Sequence, residues 1–304
     1  MTPLEPAVAI HSRQTASWSR LLSSIRFDEV CALQGTPLIG VVLSIGALTT
    51  NTMLHAAILV AGNLCLVSHV FLFNDWSGID GDLNDPRRAA RTFAAKGLSR
   101  NEVGYLALSL LAVSLLLFGM VGETPFLIGL AIAGLSALYS APALHLKGAP
   151  FFNSGLHLLG GALHFLLGYA AFSAVDGRGV LVSCFFGLVF TAGHFTHEAR
   201  DHDGDTLNAI RTNAVAFGKT QSFVAGLVLF TAAYGLLAAL AIFGMVPRVL
   251  MFAALLYPLH LTASWRALRA GLTFESLINL QRCYRALYAI VGIVTVIAAL
   301  TAHS

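Results

Sequence analysis

The sequence predicts an all-α fold, a polytopic bundle of nine transmembrane helices with two acidic-motif loops at its cytoplasmic face. Three observations predict it. Of 304 residues, 57% are hydrophobic and only 11% charged, with a mean hydropathy of +0.76, where a water-soluble chain carries about a quarter charged residues. The apolar surplus falls into nine stretches, each near the ~20 residues that cross a bilayer. The positive charges divide unequally between the two sets of connections, which fixes an orientation.

In chain order, residues 1–30 are polar, with Arg13, Arg20 and Arg26 and no uninterrupted apolar core. They read as a cytoplasmic N-terminal segment, so the first hydrophobic stretch is a retained span. Spans are expected near 32–50, 54–74, 101–121, 125–143, 152–174, 179–197, 220–243, 246–264 and 280–301. The connections at 51–53, 122–124, 175–178 and 244–245 are very short, whereas those near 75–100, 144–151, 198–219 and 265–279 are long and polar. Sixteen Lys and Arg lie on the side of the long connections, and only Arg178 and Arg248 on the other. The positive-inside rule then puts the N-terminus and the long loops in the cytoplasm, with a bacterial inner membrane as the expected location. No linker or low-complexity tract interrupts residues 1–304, which read as a single domain. Cys31, Cys65, Cys184 and Cys283 are far apart and form no CxxC pair, which argues against a zinc site or a disulfide framework.

Two acidic clusters follow directly on apolar spans. The first runs from Asn74-Asp75 through Asp80, Asp82 and Asp85 to Arg87 and Arg88. The second runs from Glu198 through Asp201, Asp203 and Asp205 to Arg211. Together they hold eight of the fifteen acidic residues, a concentration that topology does not require, because negative charge contributes little to orientation. At helical spacing Asn74 and Asp82 align with position 78, and Asp201 aligns with Asp205. Carboxylates so placed repel near lipid, and a divalent cation offsets that cost. Hard oxygen donors suit magnesium, completed by substrate phosphate and water, and interleaved basic residues suit the remaining phosphate charge. A calcium loop is excluded: its twelfth position would be Arg91 or Thr212, and neither cluster has Gly at the sixth.

These residues resemble the UbiA superfamily of intramembrane aromatic prenyltransferases. Asn74, Asp75 and Asp82 match its first motif, NDxxDxxxD, and Asp201 and Asp205 match its DxxxD motif. The stretch from Asp201 to Gly218, with Ile210-Arg211-Thr212, is similar to the segment that follows, and Tyr139-Ser140-x-Pro142 with Lys147 resembles the end of the fourth helix. The resemblance implies magnesium-assisted ionisation of a prenyl diphosphate and capture of the allylic cation by a lipophilic or aromatic acceptor. Asn74, Asp75, Asp82, Asp201 and Asp205 would hold magnesium and diphosphate. Lys147, Arg88 and Arg211 would bind phosphate charge, and Tyr139 would face the cation or the acceptor. Asn153, near Lys147, is a candidate polar contact. The expected partners are the donor, the acceptor and the lipid bilayer, with no nucleic acid.

One position departs from the family. The middle aspartate of the first motif is replaced by Gly78. Glycines at 78 and 81 favour unwinding, which would turn Asp80 inward as a substitute. The departure keeps a terpene cyclase of the same superfamily as an alternative. A lipid or metal transporter is a further one, opposed by polar residues that gather at one face and not at the membrane midplane. His69, His157, His164, His194 and His197 fall within or beside spans. One of the pair His194 and His197 would serve as a base in a functional reading, against the commoner neutral histidine bonded within the bundle.

Overall fold

The structure, a computed structural model, describes residues 18–144 and 146–303; Arg13 and the rest of the polar segment up to residue 17 lie outside it. Among the described residues the chain is helical, with no strand, as expected where lipid leaves backbone groups no partner but the helix itself. Two short helices, α1 (Trp18–Ser23) and α2 (Phe27–Ala32), precede α3 (Gly35–Ser44), α4 (Thr50–Asn84) and the short α5 (Pro86–Ala89). Then come α6 (Arg100–Val121), α7 (Glu123–Ser140), α8 (Phe152–Tyr169), α9 (Gly177–Leu207), the short α10 (Asn213–Phe217), α11 (Lys219–Ile242), α12 (Tyr257–Arg269) and α13 (Phe274–His303). Capping boxes start α4 (Thr49 with Thr52) and α6 (Ser99 with Glu102), and the Asp176 carboxylate accepts from the Gly179 amide to start α9.

Six helices, α4, α6, α7, α9, α11 and α13, are long and apolar enough to cross a membrane, and α8 coincides with the fifth expected stretch. Two expected spans are not single helices. The stretch 32–50 is divided between the end of α2 and the ten-residue α3. The stretch 246–264 begins as a 3-10 helix, Arg248–Leu256, and becomes α-helical only at Tyr257. Pro247 and Pro258 bracket that 3-10 segment, and each removes a backbone donor that a continuous helix would use.

The acidic stretches expected as loops are helical. The 35 residues of α4 reach about 52 Å at 1.5 Å per residue, well beyond the ~30 Å apolar core of a bilayer. Hydropathy marks where lipid ends, and the helix continues because packing continues. Ile79 is buried with Val103 and Ala107 of α6, with Trp76 packed against them, which outweighs the roughly 1 kcal/mol that each of Gly78 and Gly81 costs a helix. In the same way α9 continues to Leu207 beyond Ala199, buried against Phe223 and Leu277.

At the bundle's centre α3 meets α8 through backbone. A Cβ on Gly168 would lie 1.8 Å from the Pro37 carbonyl oxygen, and one on Gly40 would lie 2.4 Å from the Phe165 carbonyl oxygen. Small residues at such crossings let membrane helices approach to backbone contact. The long connections gather at one end: Lys96 donates to the Ser23 carbonyl, and the Phe151 amide donates to Asn213. The acidic ends of α4 and α9 emerge at that end.

Candidate active site

A cavity of about 1550 Å³ opens between the acidic ends of α4 and α9 and extends down the bundle. Asn74, Asp75 and Asp82 of α4 line it on one side, and Asp201 and Asp205 of α9 on the other. Tyr139, from the end of α7, and Lys147, from the following connection, complete the polar mouth. Below it the wall becomes apolar, with Phe185, Phe186, Val189, Phe190, Leu237 and Leu250. The cavity also reaches the flank of the bundle, where exposed Leu38 of α3 and Ile293 and Ile297 of α13 line it.

Arg88 joins the two acidic motifs. Its guanidinium lies 3.2 Å from Asp82, 3.5 Å from Asp85 and 3.1 Å from Asp201. Burial opposes its charge, but Asp201 and Asp82 outweigh that and raise its pKa above the ordinary arginine value. Gly204 makes the close approach possible, because a Cβ there would lie 2.7 Å from the Asp85 carboxylate. Arg200 holds Asp201 from its own helix through two hydrogen bonds, 2.7 and 2.9 Å long. Arg26 of the connection before α2 pairs with Asp75. Asp205 is buried and makes no salt bridge among the described residues; Lys147 supplies the strongest positive charge acting on it. The end of α7 is tied to α4 by Ser77, which donates to the Ser140 carbonyl, and by Ser140, which donates to Asn74 over 3.4 Å.

Three expected site residues lie off the cavity. Asp80 points outward, with 81% of its side chain exposed and Arg100 3.4 Å away. Because α4 stays helical, position 80 is turned about 200° from position 78, so the expected unwinding at Gly78 does not occur. Asn153 is fully buried and spans Lys147 and Glu198, donating to the Lys147 carbonyl at 3.1 Å and to Glu198 at 2.6 Å. Arg211 is exposed, and its neighbour Thr212 faces the cavity instead. Sequence reasoning missed Arg26, Arg200, Asp85 and Thr212 as site residues; the second acidic cluster already contained Arg200, and the Ile-Arg-Thr run already contained Thr212.

The donor set suits magnesium. The five oxygen-bearing side chains share one cavity, yet among the described residues no three His, Cys, Asp or Glu groups close on a single point. No protein cage is therefore ready-made, which matches an ion that takes a few carboxylates and completes its shell with water and substrate phosphate.

The family model of the UbiA prenyltransferase family matches residues 35–271. The fold is similar to that of a UbiA homolog from Archaeoglobus fulgidus bound to GPP and Mg2+. The TM-score is 0.73 at 16% identity, covering 91% of this chain and 99% of that one. The same homolog bound to DMAPP and Mg2+ gives a TM-score of 0.68, at 16% identity over 91% and 99%. A UbiA homolog from Aeropyrum pernix K1 gives 0.70 at 19% identity, over 89% and 98%. No curated protein matches the chain.

Proposed function

Because the chain belongs to the UbiA prenyltransferase family, we propose that it is a magnesium-dependent intramembrane prenyltransferase, moving an isoprenyl group from a prenyl diphosphate to a lipophilic or aromatic acceptor. The observation that carries this is the convergence of both acidic motifs, with Arg88 and Lys147, on the mouth of one cavity whose deeper wall is apolar. The mouth suits a diphosphate and the depth suits its tail. We place the mouth at the cytoplasmic face of a bacterial inner membrane, in a bundle crossing it nine times, on the distribution of Lys and Arg.

Asn74, Asp75 and Asp82 would hold magnesium on the α4 side, and Asp201 and Asp205 on the α9 side. When bound, magnesium offsets the charge that develops on the leaving diphosphate. Arg88 and Lys147 bind phosphate oxygens, Arg88 with the planar guanidinium that matches them. Tyr139 presents its ring below the leaving group. Phe185, Phe186 and Phe190 exclude water from the allylic cation, and the opening between α3 and α13 admits the tail from lipid.

Incubation of the full chain with GPP and magnesium tests this. The expected result is magnesium-dependent release of pyrophosphate, with a prenylated product when a membrane lipid extract supplies the acceptor. A cyclic hydrocarbon as the only product would favour the cyclase alternative that Gly78 raised. Absence of pyrophosphate would refute both.

A further inference from the structure

Prenyl transfer to a neutral acceptor needs a group that takes the proton the acceptor loses, and of the motif carboxylates Asp75, Asp82 and Asp201 are engaged with arginines. Two histidines stand just below the mouth. His157 of α8 and His194 of α9 stack with ring centroids 3.7 Å apart and planes 12° from parallel. Tyr139 meets His157 edge-on, 5.2 Å between centroids. All three line the cavity that the acidic motifs share.

The hydrogen bonds fix which nitrogen of His157 is basic. Its Nδ1 lies 2.8 Å from the Asn153 carbonyl oxygen. A carbonyl only accepts, so Nδ1 carries the hydrogen and Nε2 keeps the lone pair. Among the described residues the one hydrogen bond of the His157 ring is that of Nδ1. His164 gives the contrast. Its Nε2 donates to Asn63 at 3.0 Å, Asn63 donates to Gln34 at 2.9 Å, and Gln34 donates to the Val30 carbonyl at 2.9 Å. That chain ends on a backbone acceptor and accounts for His164 as a tie between helices.

Behind His157 the stacked His194 leads to a buried carboxylate. The His194 Nε2 is 3.2 Å from Glu198, close but not aligned as a hydrogen bond. Glu198 is buried and receives donors on all sides: Asn153 at 2.6 Å, the Asn213 side chain at 3.0 Å and the Asn213 amide at 3.3 Å. Such a shell suits an ionised carboxylate. That carboxylate, one imidazole beyond His157, is the negative charge that faces an imidazolium formed in the pair.

We propose that Nε2 of His157 is the proton acceptor of this site, with His194 and Glu198 as positioning residues, an inference that rests on the prenyl-transfer reading. The C1–O bond of the donor breaks and its electron pair leaves on the diphosphate. The nucleophilic atom of the acceptor supplies the pair for the new bond to C1. The acceptor's proton moves to Nε2, and the imidazolium passes it to water at the mouth. The acceptor class is a protic one, packed beside the Tyr139–His157 pair.

The test needs no acceptor. With GPP and magnesium alone, a geranyl cation either meets water and becomes an alcohol or loses a proton to a base and becomes an acyclic triene. The full-length wild type is expected to release pyrophosphate and give both products. His157→Asn keeps a donor near the Asn153 carbonyl but has no lone pair at the Nε2 position. Its triene share, read as a ratio to the alcohol at whatever rate pyrophosphate is released, is expected to fall at least about tenfold, as loss of a general base requires. Glu198→Gln is expected to lower the triene-to-alcohol ratio in the same direction. An equal triene-to-alcohol ratio in wild type and His157→Asn overturns the proposal, as does a wild type that gives no triene. Loss of pyrophosphate release in His157→Asn also overturns it, by placing His157 in ionisation. If wild type itself releases none, the prenyl-transfer reading falls and this proposal with it.

Discussion

Gly78→Asp and Asp80→Asn together test how the first acidic motif presents its ligands. Position 78 lines the cavity, and a Cβ built there meets nothing within 4 Å, so an aspartate fits without displacing a neighbour. On α4 it shares a face with Asn74 and Asp82 and lies three residues from Asp75. Repulsion from those two carboxylates costs the protein about 0.5 kcal/mol each, and replacing a helical glycine returns a few tenths, so the fold should tolerate the change. A bound cation relieves that repulsion and gains a charged contact of about 1.5–3 kcal/mol. At 1.4 kcal/mol per factor of ten, the magnesium concentration for half-maximal pyrophosphate release should fall about tenfold or more. Asp80 has 81% of its side chain exposed, and Arg100, 3.4 Å away, is itself 43% exposed. Such pairs contribute about 0–1 kcal/mol, so Asp80→Asn should leave both stability and the magnesium titration almost unchanged, while Asp82→Asn shifts it strongly. The assay is pyrophosphate release against magnesium at saturating GPP. An unchanged titration in Gly78→Asp, with Asp80→Asn as damaging as Asp82→Asn, would refute the reasoning and imply that α4 unwinds when it binds substrate.

Other variants probe the second motif and the bundle. Asp201→Ala and Asp205→Ala should each lower turnover by a hundredfold or more, about 3 kcal/mol of transition-state stabilisation, with the melting temperature in detergent preserved; retained activity at saturating magnesium would make these residues structural. Gly168→Val should prevent α3 from seating on α8, since even a Cβ there overlaps the Pro37 carbonyl oxygen at 1.8 Å, and a wild-type yield of folded, monodisperse protein would count against that contact. Asn63→Leu leaves His164 and Gln34 without their buried partners, at about 1–3 kcal/mol each, so its melting temperature should drop; an unchanged melt would show that the chain of bonds is dispensable.

Much of this arrangement was legible because the signals are local. Hydropathy located the apolar part of each long helix, and helical spacing paired Asp201 with Asp205 and Asn74 with Asp82. Tyr139, Lys147 and Arg88 line the same cavity, whereas Arg211, named with them from the family resemblance, does not. What hydropathy cannot report is where a helix ends once it leaves lipid. The last ten residues of α4 are helical because Trp76 and Ile79 pack on α6, and that packing decides that Asp80 faces away. Tertiary pairings were equally hidden. Asn63 with His164 and Asn153 with Glu198 join residues on different helices, and nothing in either local segment names the partner. Arg26 stood in a polar segment read only for its charge, and its pairing with Asp75 needed the fold.

The claim that both motifs serve one diphosphate is tested most directly by a density map of the full chain with magnesium and a non-hydrolysable thio analogue of GPP. The account predicts the diphosphate between Asp82 on α4 and Asp201 and Asp205 on α9, touching Arg88 and Lys147, with the prenyl tail running along Phe185, Phe186 and Phe190. A diphosphate bound to one motif alone, or a tail directed away from that apolar wall, would contradict it.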